Sequence, residues 1–244
     1  SNVAVGADSL CSNYGGDYNT AVGRYAMGSN KTGDQNVAIG YYSLWANTAH
    51  GNTAMGYAAA QRITSGYYNT ALGNCTLNDN ETGNNNVAVG HCALHENEAS
   101  GNTGVGMYAS LCNTSGTRNV AVGCGALCAG TDGDGNTAVG YAAASKSTTP
   151  GCIVAIGDCA LVNNTTGTGN VAIGECTLFG SVTSNNNVAV GTQAIRNNTT
   201  GYSNVGIGHN AAAANTEGKH NVAIGTETLK SNTCGDYNIG IGTE

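Results

Sequence analysis

Basic charge is nearly missing from this chain: eight Lys plus Arg stand against fifteen Asp plus Glu, a formal net charge of −7. A phosphate backbone is neutralised by clustered cations, so nucleic-acid binding is excluded as a main activity. Long apolar runs are missing too. No stretch approaches the ~18 consecutive apolar residues of a membrane helix, so membrane insertion is not expected. No basic, apolar, small-residue succession at the start resembles a signal peptide. Large core-forming side chains are scarce, with one Trp, one Phe and three Met, and there is a single Pro. An ordinary globular core of this length would use more of them. Disorder is excluded on other grounds, because it needs high net charge with few hydrophobic residues, whereas 9% of this chain is charged and 40% is apolar.

What the chain has instead is repetition. The pentapeptide NVAIG of residues 36–40 returns as NTAMG, NTALG, NVAVG and NTGVG, with its last glycine at Gly6, Gly23, Gly40, Gly56, Gly73, Gly90, Gly106, Gly123, Gly140, Gly157, Gly174, Gly191, Gly208, Gly225 and Gly242. Twelve of the fourteen intervals between these anchor glycines are 17 residues and two are 16. A short fixed period through a whole chain marks a solenoid or array.

Each repeat position can be read for its chemistry. Val, Thr or Ile stands three places before every anchor, and Val, Ile, Leu or Met one place before it. Alternate residues of a strand share a face, so this apolar pair is expected to form the solenoid interior, with Val37, Ile39, Val87, Val89, Val171 and Ile173 as core residues. Between them, two places before the anchor, stands Ala in twelve copies and Gly in three. Only small residues are allowed on that face, so another backbone must lie against it. It either meets a neighbouring chain or packs on a second strand of its own coil; the first is our expectation, with Ala38, Ala54, Ala88, Gly104, Ala172 and Gly206 as protomer contacts.

Asn precedes the anchor by four places in fourteen copies, with Ile153 the exception, and a second Asn follows it by seven in ten of fourteen coils. Both read as corners, since Asn tolerates left-handed backbone, bonds its own main chain and can bond its stacked neighbours in a ladder. Asn36, Asn86, Asn119, Asn170 and Asn221 are the turn residues of the first ladder. A glycine seven places before the anchor, such as Gly33 or Gly218, marks a second bend, and the two 16-residue coils carry Gly51 and Gly101 five places before it instead. After the anchor, a small residue at the third place (Ala26, Ser43, Ala93) and Leu, Ile or Met at the fourth (Met27, Leu44, Leu94) predict a second short strand. The expected fold is all-β: a flattened parallel β-roll of about 15 coils, ~70 Å long, forming one repeat domain over residues 1–244. Such a rod needs caps and neither end reads as one, so the chain is expected to be a segment of a longer protein.

The copies NVAVG, NTAVG and NVAIG, each followed by two variable residues and a small one, resemble the head repeat of YadA-type trimeric adhesins, which is also found in phage and other viral fibre proteins. The resemblance covers the whole chain, and its fifteen occurrences make it specific. It implies a left-handed β-roll, three identical chains side by side, and a role as rod or head in surface attachment. Periodicity by itself gives no handedness. Two features depart from the family. Its usual bacterial repeat is shorter than 17 residues, and its exported members generally avoid cysteine, whereas this chain has ten. Cys75 and Cys92 stand at the same place in consecutive coils, as do Cys159 and Cys176, within disulfide reach by distance, although small packed thiols suit these places equally. Assembly in a reducing cytosol fits this usage, and favours a viral fibre over a secreted bacterial head.

No catalytic constellation emerges. The five histidines are scattered, only His91 and His209 sharing a repeat position and these in distant coils; His91, Cys92 and His95 form the one local metal-like cluster, without a second half of zinc-site spacing. Asp132 and Asp134 lack the Glu that a calcium loop of this kind requires. No catalytic residue, metal ligand or cofactor is therefore assigned. Asn30, Asn80, Asn113, Asn164 and Asn198 lie in glycosylation sequons but also on the second Asn ladder. Tyr41, Tyr42 and Tyr57, with Trp45 beside them, are candidates for surface contact with a carbohydrate or protein receptor. An ice-binding solenoid needs a regular exposed Thr array, which is not expected if the Thr of the pentapeptide faces the core; a polysaccharide-cleaving solenoid needs clustered acids or bases, which are scattered here. The expectation is a non-catalytic homotrimeric fibre shaft or head of a virus or phage, or alternatively the head of a bacterial surface adhesin.

Overall fold

The computed structural model describes residues 1–244 and contains no helix, hence none long and apolar enough to cross a membrane. The chain divides into two compact units, Ser1–Arg118 and Asn119–Glu244. In the first, β1 (Val3–Val5), β2 (Thr20–Val22), β3 (Val37–Ile39), β4 (Thr53–Met55), β5 (Thr70–Leu72), β6 (Val87–Val89) and β7 (Thr103–Val105) pair in chain order as a parallel sheet. In the second, β8 (Val120–Val122), β9 (Thr137–Val139), β10 (Val154–Ile156), β11 (Val171–Ile173), β12 (Val188–Val190), β13 (Val205–Ile207), β14 (Val222–Ile224) and β15 (Ile239–Ile241) do the same. Each unit is a parallel β-solenoid. Residues of equal repeat position stack on one another, as Ala38 does on Ala54 and Ala155 on Ala172.

The inside and outside of the strand are the reverse of the hydrophobicity reading. The expected protomer contacts Ala38, Ala54, Ala88 and Ala172 are 0% exposed within their own chain, and Gly104 and Gly206 are buried as well. The expected core residues turn outward: Val87 is 39% and Ile173 37% exposed, and Val37, Ile39, Val89 and Val171 are half-buried. The reason is space. The coil is filled from the opposite wall by the Leu four places after the anchor, such as Leu44, Leu77, Leu94, Leu161 and Leu178, all fully buried. A Cβ on Gly104 would lie 3.0 Å from Leu94 Cγ, so the facing strand has room for a methyl group at most. Gly206 sits opposite Ile195, the one isoleucine at that place, and a Cβ there would meet Ile195 Cγ1 at 2.5 Å. The alternative of Ala packing within its own coil is the one the structure adopts.

The second wall is not a strand. Residues two and four places after the anchor have left-handed backbone, as at Tyr25 (φ 60°), Met27 (φ 48°), Cys92 (φ 52°) and Leu94 (φ 51°). Successive N–H groups still alternate between neighbouring coils: that of Tyr25 donates to the Ala7 carbonyl (3.0 Å) and that of Met27 to the Ser43 carbonyl (3.0 Å). The wall thus keeps inter-coil pairing while compressing its residues into turns. Left-handed angles cost a non-glycine residue roughly 1–2 kcal/mol, and stacking on both sides holds them here.

The anchors form a glycine column for two reasons at once. Gly23 and Gly157 both have φ 132°, and a Cβ on either would stand 2.6 Å from the carbonyl oxygen of the next anchor, Gly40 or Gly174. Asn36, Asn86, Asn119, Asn170 and Asn221 are buried, and each rung bonds the next: Asn36 N–H donates to Asn19 Oδ1 (3.0 Å) while Asn19 Nδ2 donates to the Gly33 carbonyl (2.7 Å). The second ladder closes the same bend, with Gly33 N–H donating to Asn30 Oδ1 (3.1 Å) and Asn30 Nδ2 to the Gly33 carbonyl (3.1 Å). In the 16-residue coils one residue is lost from this bend, and Asn47 Nδ2 donates to Ala49 O (3.0 Å).

Candidate functional site

The stacked strands give each unit an outward face made of two ranks of β-branched or long aliphatic side chains. In β4, Met55 is 47% exposed, and the outer residues Ile156, Ile173, Ile207 and Ile224 of the second unit are each close to 40%. Nothing in either unit covers them. Apolar side chains in straight ranks on a flat parallel sheet are what an interface uses, because a parallel sheet is ordinarily covered on both faces.

An aromatic cluster lies at the edge of this face in the first unit. Tyr25 and Tyr42 stack at 4.8 Å with planes 12° apart, Tyr41 and Tyr57 stack at 5.6 Å, and Tyr41 meets Tyr42 edge-on at 4.4 Å. Trp45 joins edge-on at 6.1 Å from Tyr42. The four residues singled out from the sequence are therefore brought together. Tyr25 and Arg24 complete the group: the guanidinium lies 4.7 Å from the ring centre and donates to the Tyr25 hydroxyl (2.9 Å). That hydroxyl bond raises the Arg24 pKa, while burial raises that of Tyr42. Ring faces inside the stacks are occupied by other rings. Tyr57, Trp45 and Tyr41 are the members with surface left for an external contact, at 54%, 39% and 37% exposure.

A third feature was legible but missed. In the second unit Thr131, Thr148, Thr165, Thr199, Thr216 and Thr233 recur eight places after the anchor, with Val182 in the remaining coil. Their hydroxyls are engaged: Thr148 Oγ1 donates to the Thr165 carbonyl (3.2 Å) and Thr199 Oγ1 to that of Thr216 (3.1 Å). Counting every seventeenth residue from Thr131 would have found this rank.

Chemistry-bearing side chains do not converge. Cys92 Sγ lies 3.5 Å from His91 Nε2, but His95 turns to Asp79 (Nδ1 to Oδ2, 3.8 Å) and takes no part in a cluster with them. The sequon residues Asn30, Asn80, Asn113, Asn164 and Asn198 are at most 2% exposed, so the folded chain presents none of these five side chains for glycosylation. No family model matches the chain, and neither a curated protein nor a solved structure does so.

Proposed function

We propose that this chain is a non-catalytic fibre segment of a virus or phage particle, a left-handed β-roll associated side by side as a homotrimer. The observation that carries the reading is the outward apolar face of each unit, with residues such as Val87, Ile156 and Ile207 in ranks that no part of their own chain covers. The lateral contact moves from the Ala rank, where the sequence placed it, to the β-branched ranks on the other side of the same strands. Two further chains around a threefold axis would remove these ranks from water at about 25 cal/mol per Å² of apolar surface buried. Assembly in a host cytoplasm accords with the free, unbridged thiols of Cys75, Cys92, Cys159 and Cys176. Tyr57 and Trp45 are the places for a glycan or protein receptor on such a fibre. The head of a bacterial trimeric adhesin is the alternative setting for the same assembly.

Light scattering on the purified chain, with and without reductant, tests the association. A mass of three chains in both conditions is expected; a monomer across the micromolar range would overturn the trimer. Ice binding is a second reading that gains from the corrected geometry, since the half-buried Thr20, Thr53, Thr70 and Thr103 lie on the outer face of their strands. Thermal hysteresis would favour it, and its absence from a concentrated solution would remove it.

A further inference from the structure

Two pairs of thiols occupy the same repeat position in consecutive coils, one pair in each unit: Cys75 with Cys92, and Cys159 with Cys176. All four are free and partly exposed. Their backbone angles are nearly identical (φ 51°, 52°, 53° and 52°), so the Cα–Cβ bonds of each pair run side by side. Main-chain bonds fix the register on both members: Cys75 N–H donates to Tyr57 O (2.9 Å), Cys92 to Asn74 O (3.0 Å), Cys159 to Tyr141 O (2.9 Å) and Cys176 to Asp158 O (2.9 Å). Equivalent residues of successive coils stand one rung, ~4.8 Å, apart. That lies within the Cα separation of ~4.4–6.8 Å that disulfides span. Cys11, Cys124, Cys152 and Cys234 have no cysteine at the same place in a neighbouring coil.

We infer that each pair is a reversible dithiol site, which a small-molecule disulfide oxidises to a bridge stapling one coil to the next. One thiolate attacks the small disulfide, forming a mixed disulfide and expelling a thiolate of the reagent. The second cysteine then attacks the protein sulfur of that mixed disulfide and expels the other half. The protein loses two electrons and two protons, and two small thiols are released. Because the Cβ atoms start about one rung apart, and a relaxed bridge prefers ~3.8 Å, closure draws the coils together by ~1 Å. Such a bridge is of the labile, readily reduced kind rather than a permanent structural one. Burial holds the reduced state in place: it raises the pKa of the Cys75 and Cys92 thiols, and with the hydrogen bond and charge of Asp158 pushes Cys159 up to about 11. Since the thiolate is the attacking form, Cys75, Cys92 and Cys159 attack slowly near neutrality and faster as pH rises.

The full chain is incubated with oxidised glutathione at several alkaline pH values, then cleaved at acidic residues without reduction and mapped by mass spectrometry. Glu81 separates Cys75 from Cys92 and Glu175 separates Cys159 from Cys176, so each bridge appears as a linked peptide pair. The expected result is those two linked pairs, formed faster at higher pH and returned to thiols by reduced glutathione. In the Cys92→Ser variant Cys75 should stop at its glutathione adduct, and Cys176→Ser gives the same test in the other unit. Stable glutathione adducts on the unaltered chain, or links that join other cysteines in preference, would overturn the inference.

Discussion

Three places before the anchor, the unit Ser1–Arg118 reads Val3, Thr20, Val37, Thr53, Thr70, Val87, Thr103, while Asn119–Glu244 reads Val120, Thr137, Val154, Val171, Val188, Val205, Val222, Ile239. Hydroxyls interrupt the outward face of the first unit at four coils and that of the second at one. The neighbouring rank differs in the same sense, with Met55 and Leu72 in the first unit against a series of Val and Ile in the second. The glycine column does not distinguish the units, and the inward rank differs only in carrying Gly104 in the first against Gly206 and Gly240 in the second. Positions set by stacking geometry thus stay fixed along the chain, while positions turned outward vary, and the variation makes the second unit the more apolar partner. Both 16-residue coils and the aromatic cluster belong to the first unit, which joins the more polar face to the more varied edge.

The comparison can be broken first at what the units share. Gly23→Ala and Gly157→Ala meet the same φ and the same carbonyl distance. Each should cost ~3 kcal/mol or more through strained backbone and a clash that only backbone movement relieves. Chemical denaturation followed by circular dichroism should find the two losses equal; a mild effect in one unit would mean that its column is not rigid. Next comes what they do not share. Val171→Glu in the second unit should weaken lateral association by roughly tenfold or more, because a carboxylate loses water on burial, whereas Thr70→Glu in the first should weaken it less. Sedimentation equilibrium gives both numbers, and equal effects would deny the second unit its larger part in assembly. The smallest change sharpens a single rung. Ile153 interrupts the Asn ladder of the second unit, which is continuous from Asn2 to Asn102 in the first. Ile153→Asn restores an acceptor for the Asn170 N–H and should stabilise the chain by about 1 kcal/mol, offset in part by the lost apolar burial of Ile153; a loss of stability would show that packing outweighs the bond there.

Much of this arrangement was open to reading from the residues. The period, the strand, the Asn corners and the shortened bends follow from backbone requirements, which restrict residue type tightly enough to show through repetition. The facing of the strand was not, because Val and Ile outrank Ala in hydrophobicity while the deciding quantity was volume: Leu94 and its equivalents fill the coil from across. A three-residue strand is also too short for alternation to settle which side is wet. The left-handed wall was hidden for a different reason. Tyr25, Cys75 and Leu44 are not residue types that announce positive φ, and neighbouring coils impose it on them. The aromatic cluster was half visible, since spacing placed Tyr41, Tyr42, Trp45 and Tyr57 near one another but said nothing of how their ring faces would be used.

The glycine column carries a consequence for how such a chain can change over time. Because the anchors within each unit rest on one another, a residue inserted within a strand would throw the later coils of that unit out of alignment. Duplication or loss of one whole period would leave each remaining interface with a partner of the same shape. Length is therefore free to vary in whole steps of one coil, about 4.8 Å each. Between those steps the bend after the seventh residue, already one residue shorter in the coils of Asn47 and Asn97, is the joint where a gene can add or drop a codon and keep its register.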